Sequence, residues 1–271
     1  MSIITVSRGS YSHGKEVAEK TAQELNYRCV SREVLLEASK EFNVPEIKLL
    51  HAIRDAPSIL DRFTYGKEKY IAYIQAAILK HLQKDNVVYH GFAGHFFVRD
   101  VPHVLKVRIL ADVENRIRIV MERNGVEKKE AVRTIKKLDG QRRKWSRHLY
   151  EIDTSDPGLY DIVIHLHKIT VGDAVDLICH TATLERFNTT AESQRMMNNL
   201  ALASAAKAAL ININPDIEVY SQDGVVYVKT HAHVSMEEDL SREMKKAVAL
   251  IPGIKDIRIQ FLPVVPFREK E

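Results

Sequence analysis

The chain has 271 residues, 45% hydrophobic and 28% charged, with a net charge of +4, the proportions of a soluble globular protein with room for one large α/β domain or a medium domain plus a small one. No apolar run approaches the roughly 20 residues of a membrane span, and the N-terminus has no charged stretch followed by a signal-type apolar core, so a cytoplasmic location is expected. Cys29 and Cys179 each lie in an apolar run, which reads as buried thiols rather than a disulfide or a metal site.

The first apolar run, Ile3-Ile4-Thr5-Val6, reads as a strand, followed by Ser7-Arg8-Gly9-Ser10-Tyr11-Ser12-His13-Gly14-Lys15-Glu16. This segment fits most of the phosphate-binding pattern G-x-x-x-x-G-K-[ST] but ends in Glu16 where that pattern ends in a hydroxyl. In a strand-loop-helix of this kind the loop N–H groups and the positive helix end converge on an anion. Residues 9–16 are therefore the candidate phosphate site, with Lys15 adding a mobile charge and Gly9 and Gly14 expected where backbone must approach the ligand or take φ > 0. Val17, Ala18, Thr21, Ala22 and Leu25 recur at the spacing of one buried helix face.

Further β-like runs follow at Tyr27 to Val30, Val87 to His90, Val104 to Leu110 and Ile162 to Leu166. Helical patterns lie between them: one capped by Ser31 and ended by Asn43-Val44-Pro45, then Tyr65 to Leu82, Val113 to Arg123 and Glu127 to Tyr150. Strands alternating with helices predict a five-stranded parallel sheet covered on both faces, over residues 1–182. Between Lys106 and Tyr150 there are 14 Lys+Arg against 6 Asp+Glu, a local +8, so the remainder carries −4. That basic part is either a solvated helical face or a collector for an anionic ligand. Trp145 is the only tryptophan and no nucleic-acid motif occurs, so no nucleic-acid partner is expected. His165 and His167, like His231 and His233, share a strand face but have no third ligand at readable spacing, so no metal site is expected.

From Phe187 to Gln194 the sequence reads as a polar connector, with a linker at 183–195. A small α+β unit at 196–264 is expected next, before a tail at 265–271. It comprises an Ala-rich helix at Leu200 to Leu210, strands around Ile217 and Val226 joined by Asp223-Gly224, a helix opened by a Ser235/Glu238 capping box and stopped by Pro252-Gly253, and a strand at Ile257 to Phe261.

The run Ile4-Thr5-Val6-Ser7-Arg8 through Ser12, Gly14, Lys15, Glu16, Val17 and Ala18 resembles the opening of the cytidylate kinase-like family. Tyr27 through Arg32-Glu33, Gly91-Phe92-Ala93-Gly94, Val107-Arg108-Ile109 with Arg116, Asp139-Gly-Gln-Arg142 and Leu159-Tyr160-Asp161 continue that resemblance in the same order over about residues 2–180. It implies a P-loop kinase fold and transfer of the ATP γ-phosphate, with Mg²⁺, to a CMP- or dCMP-like nucleotide. Gly14 and Lys15 would then hold phosphates, Arg116 and Arg142 would meet the transferred group and Asp139 would orient the lid, while Arg32, Gly91 and Gly94 would line the acceptor side. The family usually has glycine at Tyr11 and His13, an acid at Ser31 and an arginine at Phe92, so the resemblance leaves open a non-catalytic nucleotide-binding regulator. The C-terminal unit resembles a BON domain in Asp223-Gly224-Val225-Val226 and in Ile251-Pro252-Gly253-Ile254-Lys255-Asp256-Ile257, which implies a ligand or membrane-surface partner. Self-association into a homo-oligomer stays open.

Overall fold

The computed structural model describes residues 2–31, 33–46, 48–49, 66–91, 94–150 and 152–263. Arg32, Phe92 and the expected tail at 265–271 lie outside the described residues. Five strands, β1 (Ile3–Arg8), β2 (Arg28–Val30), β3 (Val87–His90), β4 (Val104–Ala111) and β5 (Ile162–Leu166), form one sheet in the order β2-β3-β1-β4-β5. Every neighbouring pair is parallel.

The crossovers between parallel strands lay helices on both faces of such a sheet. Alternation along β1 divides the work: Ile3 points into a core shared with α2 (Glu33–Glu41) and α3 (Gly66–Leu82), whereas Ile4 and Val6 point into a second core shared with α1 (Gly14–Glu24) and α7 (Val171–Ala182). The register places Val6 opposite His90 and Ser7 opposite Arg108, so the polar ends of β1, β3 and β4 meet at one edge of the sheet. That edge, at the C-terminal ends of the strands, is where open α/β sheets gather ligands. A short helix, α4 (Gly94–Phe97), follows β3 there, and the helical hairpin α5 (Val113–Asn124) and α6 (Lys128–Tyr150) follows β4.

The expected polar connector is helical from Ala191 onward. Helix α8 runs from Ala191 to Leu210, and its start is fixed by Thr190 and Ser193, whose side chains each accept from the other's backbone N–H. Of the residues that read as a connector, Glu192 is exposed and Ser193 is buried on the wall from which Met197 and Ala201 enter the core above α3. Farther along, Ala206 and Leu210 enter a separate core beneath the C-terminal sheet. Small alanines on several faces let one helix lie close to both layers at little cost in propensity.

The second sheet has the order β6-β7-β8, with β6 (Ile217–Gln222) antiparallel to β7 (Val225–Ala232) and β8 (Asp256–Pro263) parallel to it. Asp223 and Gly224 both take positive φ, 51° and 90°, as a tight two-residue hairpin demands. Helix α9 (Glu237–Val248) completes the small α+β layer. The expected Ser235/Glu238 capping box is not formed. Ser235 belongs to a 3₁₀ turn at Val234–Met236 that leads directly into α9, whose N-cap is Met236 without a side-chain bond. Glu237, Glu238 and Asp239 in the first turn face the helix dipole instead.

Candidate phosphate site at the end of β1

The loop between β1 and α1 is tied to the neighbouring strand before it turns. The Gly9 N–H donates to the Ile109 carbonyl at 3.1 Å. The Ser12 hydroxyl lies 3.0 Å from the Gly9 carbonyl oxygen and 3.2 Å from that of Ile109, so its proton serves both. The left-handed residues are Tyr11 and His13, each at φ 57°, and not Gly9 or Gly14 as expected. A side chain in this conformation costs roughly 1–2 kcal/mol, which surrounding contacts must offset. For Tyr11 those contacts are visible: its side chain packs against the small apolar core of Ile117, Val120, Ala131 and Ile135 between α5 and α6. Gly14 has a different reason to be glycine. A Cβ there would come 2.6 Å from the Cβ of Arg8, which crosses directly against the start of α1.

Three expected site residues converge on this loop. Arg116 donates from Nε to the Ser10 carbonyl at 2.7 Å and from Nη2 to Asp139 Oδ2 at 2.5 Å. Asp139 Oδ1 accepts from the Ser10 N–H at 3.2 Å. Arg142 donates from Nη1 to the Arg8 carbonyl at 2.8 Å. Its side chain is exposed overall, yet desolvation of the guanidinium lowers its pKa, opposed by Asp139 and reinforced by Arg116 and Arg108.

The donor set fits an anion. His13, the N-cap of α1, makes no side-chain cap bond, so the first-turn N–H groups lack that partner. The buried Ser10 hydroxyl has no partner among the described residues. Lys15 projects outward, 66% exposed and 3.5 Å from Glu19, free to swing toward a ligand. Glu16, in the place of the usual hydroxyl, accepts from Lys20 at 2.9 Å and lies 3.1 Å from His13 Nδ1. The Lys20 hydrogen bond, helped by His13, holds its carboxyl below the ordinary range.

Gly91 and Gly94 make room for Tyr89 on β3: a Cβ at Gly94 would come 2.4 Å from the Tyr89 ring, and one at Gly91 3.0 Å from its hydroxyl. Arg32, the third expected acceptor residue, lies outside the described residues.

Several polar residues at the same sheet edge were not singled out as site residues from the sequence. Arg8 donates to His90 Nδ1 at 3.1 Å; a guanidinium only donates, so Nδ1 is the acceptor and the proton sits on Nε2. Burial, then Arg8, lowers the His90 pKa to about 4, and burial together with Arg142 lowers that of Arg8. Tyr160 is a hub: its hydroxyl accepts from Arg108 Nη1 at 2.9 Å, donates to the Thr154 carbonyl at 3.0 Å and lies 3.2 Å from Ser7 Oγ. His95 stacks obliquely on the Tyr160 ring, and burial, then Arg108, lowers its pKa to about 3. Arg8, Arg108 and Arg142 form no ion pair among the described residues. The edge therefore offers fixed N–H donors, an orphaned hydroxyl and positive charge in excess of its carboxylates, which is chemistry for holding phosphate oxygens.

A crystal structure of an uncharacterized protein from Eubacterium ventriosum is similar at 26% identity and TM-score 0.53, covering 68% of this chain and all of that one. A shikimate kinase from Bacteroides thetaiotaomicron is similar at 13% identity and TM-score 0.40, covering 68% of this chain and 99% of that one. A cytidylate kinase from Thermococcus sibiricus is 35% identical over 83 residues, which is 31% of this chain and 42% of the relative, so the match spans less than half of that relative's length. The sequence pattern of the cytidylate kinase-like family matches residues 3–168, more than half of the chain, and the chain belongs to that family.

Proposed function

We propose that the protein is a nucleoside monophosphate kinase that transfers the ATP γ-phosphate to a CMP- or dCMP-like nucleotide with Mg²⁺. The observation that carries this reading is the loop at Ser10: its N–H and orphaned hydroxyl, the uncapped start of α1, and Arg116 and Arg142 all stand within one small volume. Phosphoryl transfer asks mostly for positioning and charge neutralisation rather than covalent chemistry by the protein, and this donor set supplies both. Lys15, Gly14 and the loop amides would hold the donor phosphates, and Arg116 and Arg142 would neutralise charge on the transferred group.

Acceptor phosphate would face Arg8 and Arg108, which His90 and Tyr160 hold in place. Mg²⁺ would be held mainly by phosphate oxygens and water, as is usual for this ion, because the nearby carboxylates of Glu16 and Asp139 are already ion-paired. Residues 1–182 would form the kinase-like domain and 183–195 the linker, with α8 crossing that boundary. Residues 196–264 would form a BON-like domain with its own ligand.

Calorimetry with Mg²⁺-ATP on the wild type and on Lys15→Ala tests the site. Binding by the wild type that weakens at least tenfold in the variant is the expected result, and no binding by the wild type overturns the reading.

A further inference from the structure

The anion position of the loop is held by the chain's own carboxylate. Asp139 Oδ1 takes the Ser10 N–H, and Asp139 Oδ2 takes the Nη2 of Arg116, whose Nε is bound to the Ser10 carbonyl. A carboxylate oxygen accepting a backbone N–H while bridged to arginine occupies the same donors that a phosphate oxygen uses. Arg116 is only 11% exposed here, so its guanidinium has little room for a second anion while Asp139 stays.

The carboxylate is delivered by the helical hairpin. Asp139 stands on α6 and Arg116 on α5, and the side chain of Tyr11, at the tip of the loop, sits in the apolar seam between these two helices. Arg142, one turn after Asp139, binds the Arg8 carbonyl at the base of the loop. Loop and hairpin are thus joined by one apolar knob and three polar contacts.

We propose that Asp139 is a built-in competitor for the loop's anion position, and that Tyr11 pins the hairpin that delivers it. This rests on the phosphate site proposed above. Nucleotide binding then requires the Asp139 carboxylate to leave the Ser10 N–H and Arg116, and the apparent affinity is reduced by the fraction of molecules in which it has not left. Simple removal of a negative charge would also favour an anionic ligand, so the test needs a carboxylate outside the seat as control. Glu19, 3.5 Å from Lys15 and one helical turn farther on, provides it.

The test is titration of wild type, Asp139→Asn, Asp139→Ala and Glu19→Gln with Mg²⁺-ATP and with inorganic tripolyphosphate, each variant first shown to melt cooperatively. The expected result is at least tenfold tighter binding of both ligands by Asp139→Asn, with Asp139→Ala giving the same direction should the asparagine variant fail to fold, and a change within twofold for Glu19→Gln. Equal or weaker binding by the Asp139 variants, with the wild type binding normally, overturns the competitor role and leaves the phosphate site standing. An equal gain in Glu19→Gln reduces the effect to bulk charge and overturns it as well. Absence of binding by every form removes the phosphate site and this inference together.

Discussion

Arg8 and Gly14 are packed so closely that a β-carbon on Gly14 would come 2.6 Å from the β-carbon of Arg8. The glycine of the loop motif thus serves the passage of an arginine from β1 toward His90, and its φ is not in the left-handed region. Replacing it forces backbone or Arg8 to move. Gly14→Ala is expected to destabilise the fold by about 1–3 kcal/mol, the usual range for overpacking. Gly9→Ala, where no atom comes closer than 3.7 Å, should cost less than about 1 kcal/mol. Thermal melts of the two variants check the contrast, and an equal loss in both would refute the packing argument.

Helix α8 contributes Met197 to the core above the large sheet and Leu210 to the core beneath the small one, both fully buried. Truncation of either to alanine should cost about 2–5 kcal/mol. Because one helix carries both residues, each change is expected to lower the same unfolding transition. Differential scanning calorimetry that shows two transitions, with Leu210→Ala moving only one, would show that the two layers unfold separately.

Acid should destabilise the protein through His90 and His95. Their pKa values are lowered by burial to about 4 and about 3, from an ordinary value near 6.5. The unfolded chain therefore binds more protons below pH 6.5, and stability falls as the pH drops from there toward 4. The expected loss is about 2 kcal/mol per histidine between pH 6.5 and 5. His95→Phe should show a shallower decline of Tm over that range; an unchanged slope would exclude His95 as a contributor.

The Tyr160 hydroxyl links Ser7, Arg108 and the Thr154 carbonyl. Tyr160→Phe keeps the ring beneath the Arg108 guanidinium but leaves these polar groups short of a partner, at a cost of about 1–3 kcal/mol. If Arg108 faces the acceptor, KM for the nucleoside monophosphate should rise several-fold while ATP affinity stays within twofold. A change in ATP affinity alone would place Tyr160 with the donor instead.

Much of this architecture is legible in the sequence where local signals and burial agree. The runs Val87 to His90 and Ile162 to Leu166 coincide with β3 and β5 because each is a short β-forming stretch bounded by turn residues. The start of α8 is not legible, because its buried wall opens on a polar residue, Ser193, one turn before the first apolar one, Met197. The capping box at Ser235 looks complete in sequence, but a 3₁₀ turn occupies the positions it needs. At the site, Arg116 and Asp139 bind Ser10 and Arg142 binds the Arg8 carbonyl; only the family resemblance singles out Arg116, Asp139 and Arg142, since no local pattern links them to the loop. The pairing of Arg8 with His90 and of Arg108 with Tyr160 depends on strand register, which no local pattern carries. The substitution of glycine by Tyr11 is visible in sequence, whereas the seam between α5 and α6 that receives its side chain is a tertiary fact.

The most direct test of the account is transfer of radiolabelled γ-phosphate from Mg²⁺-ATP to CMP, dCMP and UMP by the full chain, with Arg116→Ala alongside. The predicted result is labelled nucleoside diphosphate from CMP or dCMP, reduced at least a hundredfold in Arg116→Ala, the scale at which loss of one transition-state charge contact is felt. No labelled product from any of the three acceptors, by protein that binds ATP, would contradict the kinase reading and leave a nucleotide-binding regulator in its place.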